Sequence, residues 1–447
     1  MRPFLDVIKE AGNHHAAGQF DQAAFLYENL LGAVPDDAVL LYLYGTLCSQ
    51  VQRFGSAITF LRKSVELAPD LDEAWHNLGV ALRNEGHNEE ARKAYSRAIA
   101  LNPDSADLLA MMAGSYINEG LPDRALEWAE KALAIDPEQI HGMNHKALAL
   151  LELGRFEEAW GPYRARFDLP SMSASPRPYE CPEWEGQPVK KLAIHGEQGL
   201  GDEVMFMSCF AEAAELADEI VIECERRLVP LFKRSFGCDV YESHVSLVTA
   251  HPDVDAFIPM GNLPGLFRTS TESFDAAKPF LKTNPALVKK YRKRLERLGP
   301  GPYVGVGWHG GTKATHQEVR NAPQDLWEKV VGSPGTFISL QYGEEAAQQA
   351  KALGIQHWQS SIDDLDNFAA LVDACDIVVS VCQTAIHVAG GVGTECWCLT
   401  PSKPAWRYAI VGDMPWYKDV HLVRQNGDDW GSAFMEVMMR LNGLEAA

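Results

Sequence analysis

No C-x-x-C pair occurs among the nine cysteines of this 447-residue chain, and Cys396-Trp397-Cys398 has no second pair to complete a zinc knuckle. The cysteines therefore read as mostly buried thiols, and no metal site is expected. Positive charge is scarce: 40 Lys and Arg stand against 61 Asp and Glu, a formal net charge of -21. A surface of that sign repels a polyanion, which excludes nucleic acid as a partner but leaves room for a small anion at a local basic cluster. No apolar run approaches a bilayer span. The opening MRPFLDVIKEAGNHH lacks the charged, apolar and small-residue order of a secretion signal, so the expected location is cytoplasmic. There is no G-x-x-x-x-G-K-[ST] loop, and Gly199-Leu200-Gly201 lacks the third glycine of a dinucleotide fingerprint, which argues against redox chemistry.

What the chain does contain is a period. Pro35, Pro69, Pro103 and Pro137 lie 34 residues apart, and so do Ala23, Ala57, Ala91, Ala125 and Ala159. In the clearest unit, Asp72 to Ser105, the residues Trp75, Leu78, Gly79, Leu82, Ala91, Tyr95, Ala98 and Pro103 stand where a tetratricopeptide repeat needs large, small, aromatic and helix-ending side chains. Gly79 and Ala91 allow two helices to approach, Tyr95 fills the gap between them and Pro103 ends the second helix. Gly18, Gly86, Gly120 and Gly154 mark the turn in four of about five units. Residues 1–168 are thus expected to form an α-solenoid with a concave face suited to an extended polypeptide. Gln50, Asn84, Asn118 and Glu152 recur at one repeat position. They form either a solvated edge or a row that hydrogen-bonds a bound chain.

Residues 169–189, with Pro170, Pro176, Pro178, Pro182 and Pro188 and one large anchor, Trp184, read as a hinge. Beyond it, apolar runs alternate with helical patterns. Strands are expected at Lys191 to Ile194, Glu219 to Glu223, near Val240 and Phe257, from Tyr303, and at Thr336 to Gln341, Asp376 to Val381 and Thr394 to Thr400. Such alternation predicts parallel sheets covered by helices, divided by Gly299-Pro300-Gly301-Pro302 into halves at residues 190–300 and 301–447. The Lys/Arg-rich helix Ala286 to Leu298 reads as a solvated face, and a last helix, Gly431 to Leu441, is available to cross back to the first half.

Three stretches could carry chemistry. In Lys191 to Phe206, KLAIHGEQGLGDEVMF, a strand turns through Gly196, Gly199 and Gly201 into a helix, with Asp202 in the last step of the turn as a cap or a general base and Glu197 as a second-choice base. The loop after the Tyr303 strand offers Gly311, Thr312 and Lys313, with Arg320 following, a set suited to a phosphate or diphosphate. In SVCQTAIHVAGG a strand hands over to a helix with Gln383, Thr384 and His387 in its first turn, again a place for an anion.

HGEQGLGDEVMF, VGVGWHGGTK with Arg320, FISLQYG with Gln341, SVCQTAIHVAGGVG and the tail PAWRYAIVGDMPWYKDVHLVRQ together resemble the catalytic module of tetratricopeptide-repeat glycosyltransferases and, more distantly, the heptosyltransferases of glycosyltransferase family 9. The resemblance covers roughly Lys191 to Trp430. It implies a GT-B fold of two Rossmann-like halves, a nucleotide-activated sugar held mainly by the second, inversion at the anomeric carbon, and no catalytic metal or other cofactor. The acidic residue of the first glycine turn is the base in heptosyltransferases, and Asp202 matches it. Those enzymes carry Asp-Thr where this chain has Cys382-Gln383, so the donor sugar is expected to differ from heptose.

A polypeptide groove fused to such a module implies a protein acceptor modified on Ser or Thr, and family members of this build modify flagellin or other surface proteins. Two other readings stand beside it: transfer to a glycan or lipid-linked sugar, and a non-catalytic scaffold whose α/β part has lost activity.

Overall fold

The computed structural model describes residues 4–169, 179–243, 253–276, 278–311, 317–409 and 412–444. The chain divides into two compact units, residues 1–150 and 151–447.

The first unit is built of helix hairpins: α1 (Phe4–Ala16) with α2 (Phe20–Ala33), α3 (Ala38–Gln50) with α4 (Phe54–Leu67), α5 (Asp72–Asn84) with α6 (Asn88–Leu101), α7 (Ala106–Ile117) with α8 (Pro122–Ile135), and most of α9 (Ile140–Glu152). Small residues set the spacing. Ala23, Ala57, Ala91 and Ala125 are fully buried, and a Cβ on Gly79 would run into the Tyr95 ring. At the turn position Gly18, Gly86, Gly120 and Gly154 all take left-handed backbone, and so does Gln52, with φ 59°. The unit without a glycine keeps the same turn and bears the steric penalty of a Cβ there.

In the second unit β1 (Val189–His195), β2 (Ala217–Cys224), β3 (Asp239–Glu242) and β4 (Ala256–Pro259) form a parallel sheet in the order β3-β2-β1-β4. A second parallel sheet joins β5 (Tyr303–Gly307), β6 (Thr336–Ser339), β7 (Gln356–His357), β8 (Ile377–Val381), β9 (Cys396–Thr400) and β10 (Val420–Arg424) in the order β10-β9-β8-β5-β6-β7. Every residue of β5, β6, β8 and β9 is buried, as in sheets covered on both faces. The winding reverses between β1 and β4 and again between β5 and β8. At such points the loops leaving the carboxyl ends part and leave a crevice. The short edge strand β7 and β10 were not among the strands expected from the sequence. Seven of the nine cysteines are buried thiols.

Three expectations need correction. The boundary set at residue 168 falls earlier, because α10 (Phe156–Tyr163) and the turn Arg164–Asp168 belong to the α/β unit. The indole of Trp160 donates to the Arg268 carbonyl at 2.8 Å, and its ring meets Tyr163 and Trp406 edge-on. The described end of the expected hinge is docked: Tyr179 stacks on Phe257, Trp184 N–H donates to the Phe257 carbonyl at 2.7 Å, and Glu183 pairs alongside β4. Pro170, Pro176 and Pro178 lie outside the described residues.

The basic helix, Pro285–Glu296, leaves Lys289, Lys290 and Lys293 exposed as expected. Its other face is attached to the second half, with Tyr291 donating to Asn367, Arg292 to Asp376, and the Arg294 guanidinium 3.8 Å over Trp358. The final helix, Gly431–Leu444, does not cross back. Phe434, Val437 and Leu441 are fully buried in the core of the second sheet with Trp327 and Trp397.

Candidate functional site

The loop leaving β1 is shaped by its glycines and by two buried acids. Gly196 leaves room for the carboxylate of Glu203. Glu203 accepts the Glu225 N–H at 2.8 Å and, pushed up to about 8 by burial, holds its proton at neutral pH. Glu197 is sealed in. Both its oxygens face Arg166, one also accepts the Gly261 N–H at 2.9 Å, and its side chain has no solvent exposure. A carboxylate so occupied positions the loop and has no free oxygen for a substrate proton.

Asp202 is placed differently. On the first turn of the helix Leu200–Phe206, one of its oxygens accepts the Gly199 N–H at 3.3 Å and the other lies 2.6 Å from Arg407. Arg407 sits in the turn Trp406–Tyr408 after β9. It was not singled out from the sequence; its one local signal is an arginine flanked by aromatics just past a strand end. Burial acts to lower the Arg407 pKa, but the Asp202 charge and hydrogen bond together with Tyr408 and Tyr163 outweigh it, and the net direction is up.

In the second half the loops after β5 and β8 lie against each other because Gly307 and Gly310 have no side chain: a Cβ on either would strike Gln383 or the Cys382 carbonyl. Gln341 braces the first of these loops. Its Oε1 accepts from Trp308 N–H and His309 N–H at 2.8 Å each, and its amide donates to the His309 and Tyr342 carbonyls. All its hydrogen-bonding capacity is used inside the fold. Gln383 precedes the helix Thr384–Val392; its amide donates to Ser380 Oγ at 2.8 Å while its Oε1 is buried without a partner. His387 is held between Tyr417 (Nδ1, 3.2 Å) and Tyr408 (Nε2, 3.3 Å), and burial, followed by Arg407, drives its pKa down to about 3. It is a neutral brace for the turn that carries Arg407. Thr312 and Lys313 lie outside the described residues.

These loops open onto one cavity of about 460 Å³. Gly199, Gly201 and Asp202 line it from the first sheet, and Gly311, Arg320, Gln383, Thr384, His387 and Arg407 from the second. Glu197 and Gln341 are not among its lining residues. Its apolar lining includes Leu340, Ile362, Leu365 and Phe368. Its charged lining residues are Arg227, Arg320, Arg407 and one carboxylate, Asp202; Arg407 is paired with Asp202 and Arg227 with Glu225. The excess of guanidinium over carboxylate suits an anion with several oxygens, and a helix start beside it adds exposed N–H groups. Among the described residues no group of three or more His, Cys, Asp or Glu is placed to hold a metal ion.

The four polar repeat residues do not behave alike. Gln50 meets His15 at 2.9 Å and Asn84 donates to the Val80 carbonyl of its own helix, both exposed. Asn118 is the C-cap residue of α7. Glu152, in the second unit, is half-buried, with its Oε2 buried and unpartnered and its pKa raised to about 8 by burial.

Three tetratricopeptide-repeat models match, at residues 14–81, 72–105 and 106–139. The chain carries tetratricopeptide repeats. Protein FlbA of Caulobacter vibrioides is 33% identical over 417 residues, which cover 87% of this chain and 64% of that protein. The match is too long for the repeats alone and takes in the α/β part, and this chain spans just under two thirds of that relative's length. The Hsp70-Hsp90 organizing protein of Triticum aestivum is 29% identical over 120 residues, 27% of this chain and 21% of that protein. Among solved structures, the MamA protein aligns with 28% identity and a TM-score of 0.34, covering 37% of this chain and 90% of that one. A thermophilic TPR protein of Thermus thermophilus aligns with 21% identity and a TM-score of 0.33, covering 38% and 93%. No helix among the described residues is long and apolar enough to cross a membrane.

Proposed function

We propose that the α/β part is an inverting, metal-independent glycosyltransferase of GT-B architecture that moves a sugar from a nucleotide-activated donor to Ser or Thr of a polypeptide recruited by the repeats. The observation that carries this reading is the cavity lined by the carboxyl-end loops of both parallel sheets, with three arginines and one carboxylate among its lining residues and Arg407 paired with that carboxylate, Asp202. The apolar lining residues suit a nucleobase and ribose, and the arginines suit the phosphates. In the reaction the acceptor oxygen bonds to the anomeric carbon as the bond from that carbon to phosphate breaks. The electron pair leaves with the phosphate and the hydroxyl proton passes to Asp202. The acceptor proposed is a cytoplasmic polypeptide, flagellin being the candidate that the family resemblance names.

Incubating the full chain with a panel of nucleotide sugars and purified flagellin, and reading intact mass, tests the proposal. Addition of one sugar residue with wild type and none with Asp202→Asn is the expected result; no addition with any donor, together with no nucleotide binding, would remove it. One observation favours the second reading, a repeat scaffold without catalysis: the candidate base is already bound to Arg407.

A further inference from the structure

The Asp202–Arg407 pair raises a question of sequence in time, because a carboxylate whose oxygen is held at 2.6 Å by a guanidinium is not open to a substrate hydroxyl. Three features describe the pair. Both side chains retain some exposure, 19% for Asp202 and 15% for Arg407, and both face the cavity, so the contact can be reached by a ligand. Arg407 has five donors to place, yet one Nη is bound to Asp202 and its Nε is buried without a partner. Arg320 lines the same space, and so does Arg227, which is paired with Glu225. A polyanion in this cavity would therefore meet a part-exposed guanidinium whose one ion-pair partner among the described residues is Asp202.

Resting on the transferase reading, we propose that Asp202 and Arg407 form a donor-operated latch, in which the phosphates of the donor take over Arg407 and so release Asp202 to receive the acceptor proton. The donor must then bind before the acceptor is activated. Until it does, the base stays occupied and idle proton transfer is prevented. Arg407 is a residue of the donor site in this scheme, and the ion pair seen here is its resting state. The same pairing that favours a scaffold becomes the off position of an enzyme.

The latch predicts a gain of affinity on removing the base. Titration calorimetry with inorganic pyrophosphate and with ADP, UDP, GDP and CMP, on wild type, Asp202→Asn, Arg407→Ala and the double variant, tests it, with thermal unfolding to verify folding. Asp202→Asn should bind the anion about tenfold more tightly than wild type, the equivalent of about 1.4 kcal/mol no longer spent on separating the pair. Arg407→Ala should bind at least about tenfold more weakly, and Asp202→Asn should bring no gain in the Arg407→Ala background. Equal or weaker binding by Asp202→Asn, or the same gain in both backgrounds, overturns the latch while leaving the transferase reading in place. Tighter pyrophosphate binding by Asp202→Asn with no nucleotide bound by any form supports the anion latch and removes the nucleotide-sugar donor. Binding of no anion by wild type overturns both.

Discussion

Gly201 and His387 touch across the two halves of the α/β unit: a Cβ on Gly201 would lie 2.9 Å from His387 Cδ2 and 3.6 Å from the Thr384 backbone. The two helix starts that line the cavity are thus in contact, one from each sheet, and the missing side chain of Gly201 sets their distance. Gly201→Ala should push them apart, lowering stability by about 1–3 kcal/mol as overpacking does. Pyrophosphate affinity should fall with the thermal midpoint; a lower midpoint with unchanged affinity would show that this contact does not shape the site.

Glu203 and Asp202 are neighbours with opposite tasks. Glu203 has a folded pKa of about 8 against an ordinary 4.5, so between those values the folded state binds the extra proton and stability falls as pH rises. Glu203→Gln should remove this slope. Urea unfolding at pH 5, 6, 7 and 8 should show the variant gaining on wild type by a few kcal/mol toward pH 8; parallel curves would refute the buried, protonated assignment.

The two acids of the first loop are separable by experiment. Glu197→Gln leaves the buried Arg166 guanidinium poorly compensated and should lower stability by about 3–5 kcal/mol. Arg166 and Glu197 replaced together by methionine should recover part of that loss, since the buried charge then has gone. Asp202→Asn, at a part-exposed position, should change stability by about 1 kcal/mol or less while abolishing sugar transfer. Denaturant midpoints set beside transfer rates make the comparison.

In the repeats, Gln52 occupies a left-handed turn position where four other turns have glycine. Gln52→Gly should raise stability by about 0.5–1 kcal/mol by relieving the Cβ clash, visible as a higher thermal midpoint. A lower midpoint would mean that the greater freedom of glycine in the unfolded chain outweighs the relief.

Much of this architecture was legible in the chain because it is written in short-range signals. The 34-residue spacing of proline and alanine gave the hairpins, and apolar runs gave most strands. Asp202, Gln383, Thr384 and His387 were legible because each follows closely on a strand end, and Arg320 because it is a cation following the glycine loop after β5. Arg407 escaped notice because its meaning comes from Asp202, which the fold brings to it from another sheet; nothing near Trp406 or Tyr408 announces that partner. His387 was legible as a site residue but not as a neutral brace, since that follows from Tyr408 and Tyr417 arriving from later loops. Glu197 stood in the sequence as a second-choice base beside Asp202, and what removes it from that role is the distant Arg166 and the Gly261 N–H.

The helix that completes the fifth hairpin carries Trp160 and leads to Arg166, both packed within the α/β unit. Transplanting a foreign repeat array onto these sheets at residue 168 would therefore remove part of the sheets' own foundation and strand Glu197 as a solitary buried anion. A viable graft has to keep everything from Leu151 onward, so any exchange of recognition arrays between such proteins is confined to a junction inside a repeat rather than at its end.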